Sequence, residues 1–172
     1  MNARRLTKIA LLAAMAIILH IAEGMIPVPM PIPGVKLGFA NIITLTALAL
    51  TGFGDALTVV VLRTVLGSLF GGTFLSISFY MSFSGSMTAA LIMALLLKLA
   101  AKSADSSFSL IGISLTGALT HNLTQLLVAS VLMSTSGIFY YLPVMLLSSI
   151  PTGILIGILA KLLIPRLKNV LK

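Results

Sequence analysis

His121-Asn122-Leu123-Thr124-Gln125 puts a histidine and two amides into five residues of an otherwise apolar run. Glu23 and Arg63 interrupt two other apolar runs in the same way. Such groups pair with anions, move protons or read hydrogen-bonding edges. Only Glu23, Asp55 and Asp105 carry carboxylates. There is no cysteine, so disulfides, thiolate metal sites and cysteine nucleophiles are excluded. No GxxxxGK[ST] loop is present, so any nucleotide-driven step needs another chain.

The elements that hold these groups must sit in lipid. The chain is 59% hydrophobic and 8% charged, with a mean hydropathy of +1.18. A soluble domain is roughly a quarter charged, so there is too little polar surface here for water. We expect one all-α integral membrane domain over 1–172, with six transmembrane helices near 7–26, 36–52, 55–70, 76–98, 109–134 and 139–164. The second and third are short, at about 24–26 Å from the helical rise. The first apolar run follows basic residues like a signal peptide, but further spans follow it, and we read it as a retained helix.

The net charge of +8 belongs to the membrane rather than to nucleic acid, because no basic stripe is interleaved with aromatics. Six spans place Arg4, Arg5, Lys8, Lys98, Lys102, Lys161, Arg166, Lys168 and Lys172 on one side, Lys36 on the other and Arg63 within a span. That bias predicts cytoplasmic termini. Tyr140 and Tyr141 then fall at the outer interface.

Ionisable groups at membrane depth face a bundle interior or a wet cavity. Glu23 and His20 share a face of the first helix. Glu23 either forms an interfacial ion pair with Lys36 or binds a polar ligand beneath the strip Pro27 to Gly34. Arg63 needs a partner: either it pairs structurally with Glu23, or its guanidinium stays open to a ligand anion. His121 and Gln125 share a face, and Asn122 is within reach of Gln125. Glu23, Lys36, Asn41, Ser78, Ser82, Gln125 and Tyr140 make the outer half polar, whereas the inner half is hydrocarbon with a basic rim. That distribution fits an outward cavity rather than a pore. The substrate-binding candidates are therefore Glu23, Lys36, Asn41, Arg63, Ser82, His121, Asn122, Gln125 and Tyr140.

Small residues set the packing. Gly153 and Gly157 form a GxxxG pair, as do Gly67 and Gly71. Pro151 should kink the sixth helix. Asp55, after Gly52-Phe53-Gly54, is placed to cap the third. Ala10 and Ala14 form an AxxxA pair on the first helix, which is either internal packing or a docking face, with Ala13 and Ala16 competing for the same roles.

The run from Pro31 to Leu45 resembles the family called heptaprenyl diphosphate synthase component I, also termed Gx transporter. So do Val61 to Leu69 around Arg63, Ser107 to Gly112, Gly117 to Gln125, Tyr141-Leu142-Pro143 and Pro151 to Ile154. That family is similar to the S components of energy-coupling factor (ECF) transporters. The resemblance implies a six-helix bundle in the bacterial cytoplasmic membrane. It would bind a vitamin-like solute beneath the loop between helices one and two, and the residues point to an anionic or heteroaromatic one, with Arg63 and Lys36 meeting negative groups and Asn41, Asn122 and Gln125 reading polar edges. It also implies that Ala10 and Ala14 dock on a transmembrane T subunit driven by two ATPases.

The family's enzymatic name suggests prenyl elongation, but three scattered acids cannot hold magnesium–diphosphate between two carboxylate clusters. We therefore expect a protein that is not an enzyme and needs no cofactor or metal. The leading expectation is a substrate-binding transporter subunit. The alternative is a non-catalytic membrane partner of an isoprenoid or quinone synthase. A lone proton-coupled carrier using Glu23 and His121 would need access through the hydrocarbon inner half.

Overall fold

The computed structural model describes residues 2–25, 38–102 and 109–170. Lys36, the proline strip and Asp105 lie outside these residues, as does most of the polar loop after Lys102. The described chain forms six α-helices and one 3-10 turn. The helices are α1 (Ala3–Gly24), α2 (Asn41–Thr51), α3 (Phe53–Phe70), α4 (Ile77–Lys102), α5 (Leu110–Leu132) and α6 (Leu142–Val170). The 3-10 turn, Ser136–Tyr141, leads into α6.

Four segments are long and apolar enough to cross a bilayer: α1, α3, α4 and the stretch Ser136–Val170. α5 has the length, at 23 residues, but its polar quintet lowers its hydropathy. α2 is the exception in length. The sequence suggests a span over 36–52, yet the described helix has 11 residues. Its length of about 16 Å covers only about half of a ~30 Å hydrocarbon core. Glycines bound it: Gly38 and Gly52 both have φ of 85°, a conformation that costs other residues a clash with their own Cβ. Every residue from Asn41 to Leu48 is buried, as expected of a central helix with other helices on all sides.

α1 separates its faces cleanly. Ile9, Leu12, Ala13, Ala16, His20 and Glu23 point inward at spacings of three and four. Ala10, Ala14 and Ile18 face outward. At its start Arg5 holds Asp55 through a two-pronged ion pair, Nε to Oδ1 at 2.9 Å and to Oδ2 at 3.1 Å. This corrects the capping role expected of Asp55. The N-cap of α3 is Gly52, and the carboxylate, though in the first turn, is taken up by Arg5. It still faces the positive end of the α3 dipole.

α5 and α6 run antiparallel along a glycine seam. A Cβ on Gly153 would lie 2.7 Å from Leu115 Cα, and one on Gly157 would lie 2.6 Å from Ile111 Cα. Without hydrophobic drive between helices in lipid, such backbone approach supplies the packing. The other glycine pair differs. Gly67 makes room for His20 of α1, while Gly71 is the C-cap of α3. α6 remains helical through Pro151 and Pro165. Ser109 starts α5 as its N-cap, accepting from Gly112 N at 3.1 Å.

Two apolar clusters form the interior. The larger draws on all six helices, with Leu12, Leu45, Val59, Met93, Ile113 and Ile156 among its members. The smaller, Met81, Leu126, Ala129, Ile138 and Met145, fills one end of the bundle where α4, α5, the 3-10 turn and α6 meet. So this end is not polar throughout. Its polar part lies where α1, α2 and α3 meet His121 of α5.

Candidate functional site

The polar groups gather where α2 begins. Glu23 closes α1, and its Oε1 accepts from the backbone N–H of Gly38. That bond joins the end of one helix to the approach to the next. Three residues further on, Asn41 opens α2 and accepts from Arg63 Nη2 at 2.8 Å. Arg63 projects from the middle of α3 and is 2% exposed. The Glu23 carboxylate lies within Coulombic range of it. Glu23, the acid that the sequence offers Arg63, is thus in range of its charge, and the Asn41 amide oxygen, which the sequence did not assign to it, takes one of its donors.

His121 enters the same cluster from α5. A Cβ on Gly38 would lie 3.4 Å from His121 Cδ2 and 3.0 Å from Asn41 Nδ2, so both side chains abut this glycine. On the other side, a Cβ on Gly85 of α4 would lie 3.0 Å from His121 Nδ1. Two missing side chains therefore seat one imidazole. The Gln125 amide nitrogen meets His121 Nε2 one turn along α5. Ser82 is buried on α4, on the face that carries Gly85 and Ser86.

The cluster is closed and unevenly satisfied. Among the described residues, Arg63 Nε, Asn41 Nδ2 and Thr44 Oγ1 are buried without a hydrogen-bond partner. Two of these three are obligate donors. Leaving such a group buried and unpaired costs about 1–3 kcal/mol. A ligand that brought acceptors to this place would recover that cost.

Two residues expected at the site lie elsewhere. Asn122 turns to α6, donating to Met145 O at 3.0 Å and to Ser149 Oγ at 2.8 Å. Consecutive helical residues lie about 100° apart, so Asn122 cannot share the face of His121. Tyr140 is 88% exposed on the 3-10 turn, beside Ser136, Gly137 and Phe139, away from the cluster. Lys36 lies outside the described residues. Glu23, Asn41, Arg63, His121 and Gln125 are brought together.

Sequence reasoning passed over Gly38, Thr44 and Ser149. Gly38 carries a signal, a glycine just before an asparagine-headed helix. Thr44 follows Asn41 by one turn on an apolar helix. Ser149 has no local signal, because its role depends on which residue of α5 faces it.

The two described carboxylates are far apart. Arg5, which holds Asp55, and Glu23 stand 18 residues apart on α1, about 27 Å by the helical rise. Glu23 and Asp55 therefore cannot act on one reacting centre. Fold and site together define a helical membrane protein with a buried polar cluster, built around one arginine, at the head of a half-length helix. The chain belongs to the family described as heptaprenyl diphosphate synthase component I, whose model matches residues 12–163. The match includes every residue of the cluster and Ala14, and begins after Ala10. No curated protein and no solved structure matches the chain.

Proposed function

We propose that the protein is a membrane-embedded solute-binding subunit, similar to the S component of an ECF transporter, and that it catalyses no reaction itself. The observation that carries this reading is Arg63: a fully buried guanidinium whose Nε, with the neighbouring Asn41 Nδ2, has no acceptor among the described residues. Donors in that state suit a small solute with a carboxylate, carbonyl or ring nitrogen edge, in keeping with an anionic or heteroaromatic nutrient. Glu23 balances the charge while the site is empty. His121 and Gln125 form the opposite wall, and the strip from Pro27 to Gly34 is the proposed cover. Capture takes place on the outer face of a multi-pass protein of the bacterial cytoplasmic membrane, with both termini cytoplasmic.

The outward face of α1 gives the coupling route. Ala10 and Ala14 are exposed whereas Ala13 and Ala16 are buried, so the first pair is open to another subunit's helix. On this reading, a transmembrane T subunit with two ATPases reorients the bundle. The test uses protein purified from its native membrane. Small molecules released on denaturation are compared by mass spectrometry between wild type, Arg63→Ala and Asn41→Ala. We expect a solute released by the wild type and depleted at least tenfold in both variants. An identical set from all three would remove the site.

Family membership favours a second reading, a membrane partner of a soluble heptaprenyl diphosphate synthase. Co-purification separates the two: a T subunit with ATPases supports the first, a prenyltransferase the second.

A further inference from the structure

We infer that a lateral cleft between α1, α2 and α6 is a binding site for an anionic phospholipid, which lays one acyl chain in the cleft and its phosphate on Arg166. The cleft has a volume of about 440 Å³, within the range of roughly 300–1,000 Å³ of small-molecule sites. Ile18 and Leu19 of α1, Ile42 of α2, and Leu159 and Leu162 of α6 line it, and Arg166 is its one charged lining residue.

The order of these groups selects an amphiphile. Arg166 stands seven residues beyond Leu159, about 10 Å further along α6. The wall is therefore hydrocarbon along its length and cationic at one end, the end nearer the α6 terminus. Lys161 and Lys168 on the same helix add positive potential there. Guanidinium groups match phosphate with two parallel hydrogen bonds, and basic groups close to membrane-helix ends attract anionic headgroups. A polar solute would find nothing to bind in the apolar wall.

A partner helix fits less well. Helices in lipid approach one another through small residues, and the cleft is lined by leucine, isoleucine and methionine. The exposed small residues of α1, Ala3, Ala10, Ala14, Ala22 and Gly24, do not line the cleft. Ile18 and Leu162 leave more than half of their surface uncovered, a surface that a flexible chain can follow. Ile42 comes directly after Asn41, so the lipid would support the head of short α2 from behind the polar cluster.

The full-length protein is reconstituted into phosphatidylcholine vesicles containing a minor fraction of phosphatidylglycerol, extracted in mild detergent, and weighed by native mass spectrometry. We expect one phosphatidylglycerol retained per chain, in preference to phosphatidylcholine. Arg166→Gln should lower that retention about tenfold, the loss of one charge-assisted contact. Leu162→Trp, at an exposed position that folding tolerates, should fill the cleft and lower retention of both lipids, whereas Lys102→Gln should change nothing. Equal retention of the two lipids by the wild type would overturn the inference. So would unchanged retention in both cleft variants, or a photo-crosslinker in place of Leu162 that captures protein instead of lipid.

Discussion

Adding one methyl group to each of Gly153 and Gly157 should pry α5 from α6. The nearest atoms are backbone: Leu115 Cα at 2.7 Å and Ile111 Cα at 2.6 Å from the new Cβ positions. Ordinary contact begins near 3.4 Å, so the shortfall is about 0.8 Å, and no rotamer change can absorb it. The helices must separate, which also stretches the bonds from Asn122 to Met145 and Ser149. Overpacking of this kind costs typically about 1–3 kcal/mol per site, and alanine's better helix propensity returns about 1 kcal/mol each. The double variant should therefore lose about 2 kcal/mol. Unfolding is followed by circular dichroism in a titration of mild detergent with dodecyl sulfate. Gly54→Ala is the internal control, since nothing lies within 4 Å of its added Cβ, and it should match or slightly exceed the wild type. A double variant as stable as the wild type would refute the seam as a close backbone contact.

Three further outcomes follow from the same contacts. Asn122→Ala removes two bonds to α6 and should lower stability by about 1 kcal/mol without changing which small molecules co-purify; lost solute with intact stability would return Asn122 to the site. Arg5→Gln breaks a partly exposed ion pair and should lower stability only slightly, because solvent screens such a pair; the difference from wild type should shrink in high salt, and a salt-independent loss would contradict the assignment. Ala14→Trp should leave the unfolding midpoint in place and abolish co-purification of a transmembrane partner; retained partner together with a lowered midpoint would make Ala14 a packing residue.

Much of the architecture can be read from single residues. The polar breaks around Gly52, Gly71 and Ser134 separate the apolar runs because glycine and serine end helices. The described helices fall within a few residues of the expected spans, except at α2 and at the far end of α6. α2 starts at Asn41 and covers about half a bilayer. Hydropathy is blind to this, because Leu37, Phe39 and Ala40, just before Asn41, are about as apolar as the residues after it. The site was legible as types: Glu23, Arg63 and His121 stand out because lipid penalises them.

Pairing was another matter. The sequence by itself determined a lipid-embedded helical chain, poor in acids, with its costly polar groups on the first, second, third and fifth helices. It also determined that Arg63 needs partners, since an isolated charge at that depth is untenable. Only the tertiary structure decided which partners. Asp55 went to Arg5 rather than to its own helix end, Asn122 to α6 rather than to the cluster, and Asn41 to Arg63. It likewise decided that Ala10 and Ala14 face outward while Ala13 and Ala16 face inward. The physical reason is common to all of these. Residue type fixes the cost of leaving a group unpaired, but helix rotation and register fix what it can reach, and those are set by packing between segments far apart in the chain.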